Sequence, residues 1–150
     1  MYYFAFGSNM DQGRMRSRCG NGFSGRVGAV LQDYLLVFNK QATGKTGIGY
    51  ANVMARAHSD VHGIIYQISD ECSAELDARE GVNTGDYFVD EVPVRLYSGD
   101  VVVARIYKAC AGKIYLNLKP TREYMKFLLG GRDVLAPEYV KMLESVEIID

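Results

Sequence analysis

The sequence contains no tryptophan, and in 150 residues it has two histidines, three prolines and three cysteines. Cys19, Cys72 and Cys110 are odd in number and widely spaced, with no Cys-x-x-Cys pair, so the usual zinc and dithiol signatures are missing and the three read as reduced thiols. His58 and His62 stand four apart, a spacing that converges on a helix, but the following "VHGIIYQI" alternates as a strand does and no third ligand accompanies them. No metal site is expected. Neither sign of charge is in excess: 17 basic and 18 acidic residues give a net charge of -1, which leaves no electrostatic footprint for nucleic acid or an anionic membrane. Nor is there a run of about 18 apolar residues, or a basic segment leading into an apolar one at the N-terminus. These absences predict a cytoplasmic protein with no nucleic-acid and no membrane partner.

The hydrophobic content is 48%, enough for one core, and residues 1–150 read as a single domain. Tyr2 to Phe6 form a short apolar strand that stops at Gly7-Ser8-Asn9, residues that turn the chain and cap a helix. A loop of this kind presents backbone N–H groups at a positive dipole end and suits a carboxylate or a developing oxyanion; by itself it is equally a capped turn. "GRVGAVLQDYLLVFN" predicts one long strand or two meeting at a bend, and "QATGKTGIGY" a loop. The "GKT" in that loop is no phosphate-binding motif, because Asn39 stands where the first glycine is required. "YANVMAR" and "VHGIIYQI" predict a hairpin turning through Ser59 and Asp60.

Ser69-Asp70 opens a helix that stops at Gly81, and Ser98-Gly99-Asp100 turns a hairpin between "DYFVDEVPVRLY" and "DVVVARIYKA". Pro120 begins an amphipathic helix, and another follows Pro137 with Tyr139, Val140 and Leu143 facing inward. This order lacks regular strand–helix alternation and predicts an α+β fold whose mixed sheet curls toward a barrel.

Glu80 breaks a local rule, since a carboxylate at the end of a helix faces the negative end of the macrodipole, with Glu75 and Asp77 close in sequence. Dipole and burial would raise its pKa and suit it to accept a proton, although a solvated surface acid is the commoner outcome. Ser8 is a poor nucleophile candidate, because "FGSNM" lacks the second glycine of a nucleophile elbow.

"YFAFGSNM" resembles the Tyr-Gly-Ser-Asn-Leu signature of the gamma-glutamylcyclotransferases, with Phe6 for the tyrosine and Met10 for the leucine. The resemblance continues through "LQDYLLVFNK", "GIGYANV", "VHGIIYQI", "LDAREGVNTGDYFVDEVPV", "IYKA" and "PTREYMKFLLGG", nearly the whole chain. It implies a small mixed β-barrel with flanking helices and an enzyme that releases 5-oxoproline from a gamma-glutamyl amide without a cofactor or metal. It also implies that Gly7, Ser8, Asn9 and Met10 hold the glutamyl group, that Glu80 is the catalytic base, and that Tyr87, Tyr107 and Tyr124 line the pocket. The implied partner is a small gamma-glutamyl molecule, and a homodimer is compatible with the sequence. Alternatives are a non-catalytic binding module on the same fold, or a relative specific for glutathione, gamma-glutamyl amines or a biosynthetic gamma-glutamyl protecting group.

Overall fold

The computed structural model describes all residues from Met1 to Asp150. Its strands are β1 (Tyr2–Ala5), β2 (Phe23–Gln41), β3 (Gly49–Ile68), β4 (Tyr87–Leu96) and β5 (Val101–Ala109), and its α-helices are α1 (Gln12–Cys19), α2 (Asp70–Arg79), α3 (Arg122–Leu129) and α4 (Pro137–Glu144). The strands close into a barrel in the order β1-β3-β2-β4-β5. All pairings are antiparallel except that of β1 with β5, which is parallel at Tyr3 and Arg105 and seals the barrel. The α+β barrel with flanking helices is therefore present. No helix is long and apolar enough to cross a membrane.

Alternation along β1 decides where the core lies. Phe4 and Phe6 point into the barrel with Leu31, Val53, Val61, Val94 and Ile106, while Tyr3 and Ala5 point outward to a second apolar layer under the helices, with Met10, Met15, Leu76 and Leu128. The end of β1 thus lies on the seam between the two layers, and the chain leaves it through a 3-10 turn, Ser8–Met10.

Two expectations are corrected. Ser59 and Asp60 do not turn a hairpin: Gly49–Ile68 is one strand, paired along its length with β2, and Asp60 stays opposite Gln32. The polar stretch is absorbed by a bulge in which residues 56–59 oppose Asp33 alone, both Asp33 and His58 have positive φ, and the His58 N–H donates to Asp33 Oδ1 at 3.0 Å. The cysteines are also not all reduced. Cys19 at the end of α1 and Cys72 in the first turn of α2 form a disulfide across 53 residues, while Cys110 is free. Sequence spacing could not show this pairing, because it depends on the two helices lying side by side with the Cα atoms 5.0 Å apart. A smaller difference concerns α3, where Thr121 rather than Pro120 makes the cap, its hydroxyl accepting from the Tyr124 N–H at 3.0 Å.

Closing so long a loop should stabilise the fold by about 2–4 kcal/mol. Peptide mapping without reductant should recover Cys19 and Cys72 linked and Cys110 alkylated, and reduction should lower the denaturant midpoint. Alkylation of all three cysteines in the folded, unreduced protein would refute the pairing.

Candidate active site

Burial of Asn9 organises the site. Its Nδ2 donates to the Tyr3 hydroxyl at 2.9 Å, its Oδ1 accepts from Arg18 at 3.0 Å, and its carbonyl accepts from the Tyr66 hydroxyl at 2.8 Å. The same Nδ2 lies 3.5 Å from Glu80 Oε1, and Arg18 approaches that oxygen to 3.6 Å. One side chain therefore ties β1, α1 and the end of α2 together.

Glu80 is the C-cap of α2, and its side chain is 19% exposed. Burial holds its pKa above the ordinary carboxylate range, while the nearby charges of Arg18, Arg14 and Lys40 pull it down. Gly81 follows with φ 68°, which lets the chain reverse directly after Glu80. Its missing Cβ leaves room for the Asp86 carboxylate and the Thr84 hydroxyl, which closes the short loop by donating to Asp86 at 2.7 Å. Glu75 and Asp77, neighbours of Glu80 in sequence, are engaged elsewhere: Glu75 pairs with Arg79, and Asp77 accepts from Arg105 and the Tyr107 hydroxyl.

Gly7, Ser8, Asn9, Glu80, Tyr87, Tyr107 and Tyr124 all line one cavity of about 430 Å³. Met10 is placed apart from them. Its side chain is 0% exposed in the layer beneath the helices, and its N–H is spent on the Gly7 carbonyl at 3.0 Å, so it supports the loop from below. Ser8 and Asn9 begin the 3-10 turn, the positions whose N–H groups find no acceptor within it. Gly7 is packed so tightly that an added Cβ would lie 3.2 Å from the Tyr124 hydroxyl and 3.3 Å from Ala51 Cβ.

The three tyrosines differ in what their hydroxyls can still do. That of Tyr87 donates to the Ala51 carbonyl at 2.9 Å, and that of Tyr107 donates to Asp77, so these residues offer the cavity their rings. That of Tyr124 accepts from the Ala51 N–H at 3.0 Å and keeps its own proton to donate. Burial raises the pKa of all three.

Sequence reasoning missed further residues at the cavity, among them Tyr3, Arg14, Arg18, Lys40 and Tyr50. Arg14 and Arg18 carried a usable signal, being four apart on the helix after the loop and so on one face. Arg14 Nε donates to Ser8 Oγ at 3.0 Å, and its guanidinium lies 4.4 Å from the centre of the Phe127 ring. Lys40 carried none, because its partner Asp86 lies 46 residues further on. No three His, Cys, Asp or Glu side chains converge as metal ligands would.

Because burial raises the pKa of Glu80, its contribution to stability is complete below the unfolded pKa and is lost as pH rises through the folded one. Glu80→Gln removes this dependence. The melting temperature of the variant relative to the parent should therefore increase between about pH 4 and pH 8, and a difference that shrinks over that range would contradict a raised pKa.

A sequence model of the AIG2-like family matches residues 60–143, just over half of the chain. The gamma-glutamylcyclotransferase of Bos taurus is 31% identical and that of Homo sapiens 30% identical, each aligned over 97% of this chain and 78% of its own length. A solved structure of a gamma-glutamyl cyclotransferase superposes with a TM-score of 0.87 at 29% identity, covering 100% of this chain and 89% of the other. With its Gly7–Asn9 loop, Glu80 and tyrosine-walled cavity on a closed five-stranded barrel, the chain belongs to the AIG2-like family and groups within it with the gamma-glutamylcyclotransferases.

Proposed function

We propose that the protein is an enzyme that cyclises the glutamyl group of a gamma-glutamyl amide to 5-oxoproline and releases the amine, with Glu80 moving the protons. The observation that carries this reading is the position of Glu80: a shielded carboxylate of raised pKa on the wall of the same cavity as the Gly7–Asn9 loop. The substrate brings its own nucleophile. Its α-ammonium must lose a proton before the nitrogen can attack the side-chain carbonyl, and a carboxylate with a raised pKa is a stronger base for that step.

The α-nitrogen bonds to the carbonyl carbon, the carbonyl oxygen becomes an oxyanion, and the bond to the departing nitrogen then breaks as the carbonyl re-forms. Two protons pass in all from the α-nitrogen to the departing amine, and Glu80 accepts and returns them. The attack is intramolecular because nucleophile and carbonyl belong to one molecule, and holding the glutamyl group folded aligns the two, which can supply several kcal/mol of the barrier. The Ser8 and Asn9 N–H groups, with Arg14 and Arg18 behind them, form the binding side for the α-carboxylate. The Tyr124 hydroxyl is the free donor for the oxyanion. No step calls on a cofactor or metal. A cytoplasmic location is proposed alongside this reading; because disulfides are rare in that compartment, recovery of Cys19 and Cys72 linked after thiols are trapped at lysis would count against that location.

The purified protein should release 5-oxoproline from at least one gamma-glutamyl dipeptide, measured chromatographically. None across a broad panel would leave a binding module as the better description. Glu80→Gln should lower kcat by about 10²–10⁴ while ligand binding persists, and a variant retaining more than about a tenth of the parental kcat would overturn the role given to Glu80.

The free-enzyme profile of kcat/KM should lose activity toward acid as Glu80 takes up a proton, with its midpoint above that of an ordinary carboxylate. A midpoint at or below the ordinary carboxylate value would assign the limb to another group.

A further inference from the structure

Lys40 is 3% exposed, an unusual position for an ammonium, and it lies on the cavity wall. Burial of a charge is costly unless the group is paired and hydrogen-bonded. Asp86 supplies one partner, its Oδ1 accepting from Nζ at 3.0 Å, whereas an ammonium has three donors. The other close neighbours of Nζ are the Tyr87 and Tyr50 rings, whose centres lie 5.3 Å and 5.8 Å away and present aromatic faces. The Asp86 carboxylate is itself shared, receiving the Thr84 hydroxyl and lying 3.9 Å from Lys113. The positive charge of Lys40 is therefore only partly offset, and two of its three donors have no acceptor.

The charges around the cavity fall into two groups. Arg14 and Arg18 come from α1, beside the Ser8–Asn9 turn, while Lys40 comes from the end of β2 and Lys45 from the loop that follows. With Arg79 there are five cations against the carboxylates of Glu80, Asp86 and Glu123. A gamma-glutamyl amino acid carries two carboxylates and one ammonium. The first carboxylate belongs to the glutamyl group and is assigned above to the α1 side, which leaves the second without a partner there.

We propose that Lys40 is a specificity-determining residue that receives a carboxylate on the departing amine, so that gamma-glutamyl amino acids are preferred over gamma-glutamyl amines lacking that group. The inference rests on the cyclotransferase reading. The α-carboxylate of the leaving amino acid accepts from the spare N–H groups of Lys40 and fixes the scissile amide against Glu80, with the Tyr50 and Tyr87 rings limiting where the ammonium can sit.

The test compares gamma-glutamyl-alanine with gamma-glutamyl-ethylamide, which is similar in size and lacks the second carboxylate. In Lys40→Met the ratio of kcat/KM for the dipeptide to that for the amide should fall by about 10–100-fold, the range for losing a hydrogen bond to a charged group, and mainly through KM. Lys40→Arg should retain most of the preference. Because Lys40→Met removes the cation hydrogen-bonded to Asp86, the double variant Lys40→Met/Asp86→Asn is measured as well and should show the same fall. A ratio that stays within about threefold of the parental value in the folded variants would overturn the proposal and make Lys40 a strut for the Gly81–Asp86 loop. Failure of the cyclotransferase reading has a separate signature, since the parental protein would then turn over neither compound, and the proposal would fall with it.

Discussion

A buried amide must find partners for its donors and its acceptor, and Asn9 meets that demand by joining pieces of chain that are remote in sequence. The Tyr3 hydroxyl comes from β1, Arg18 from α1 and Glu80 from the end of α2, while the Tyr66 hydroxyl of β3 donates to the Asn9 backbone carbonyl. Removing any of these contacts would leave a polar group stranded at 2% exposure, at a cost of about 1–3 kcal/mol. The same contacts that satisfy Asn9 hold the turn, the arginine-bearing helix and the carboxylate in one geometry. Stability of the seam and placement of the groups proposed to react are here a single problem, and the Cys19–Cys72 bond reinforces the seam by fastening α1 to α2.

Charge at the site is balanced between opposed effects. Shielding from water raises the pKa of Glu80, which would improve it in its proposed role as a base, yet unchecked shielding would leave it protonated and useless for that purpose. Arg18, Arg14 and Lys40 act in the other direction. In the proposed mechanism the same cations would give an anionic substrate somewhere to bind, so that one set of charges would both tune the base and attract the ligand. Tyrosine suits such a wall because its ring excludes water while its hydroxyl serves the backbone, as Tyr87 and Tyr124 do at the two polar atoms of Ala51.

Local patterns carried the α+β class, the position of the β4–β5 hairpin and the start of α2, because turn chemistry and N-caps act over a few residues. They misjudged the middle of β3. There a polar stretch at Ser59 and Asp60 looks like a turn but is held in the ladder by β2 on its flank, and the irregularity is taken up by a bulge opposite Asp33. A turn and a bulge share residue preferences, and only the partner strand distinguishes them.

By itself the sequence determined the short strand ending in Gly7-Ser8-Asn9, a glutamate at the end of a helix, and enough shared motif to identify the kind of chemistry. Tertiary structure alone decided that Met10 is a support beneath the turn, that Cys19 meets Cys72, and that Lys40 is buried against Asp86 on the wall of the same cavity as Glu80. The reason is separation along the chain. Caps, turns and strand alternation are written within a handful of residues, whereas the disulfide spans 53 residues and the Lys40–Asp86 pair 46, and each exists only because the packing of remote elements brings its two ends together.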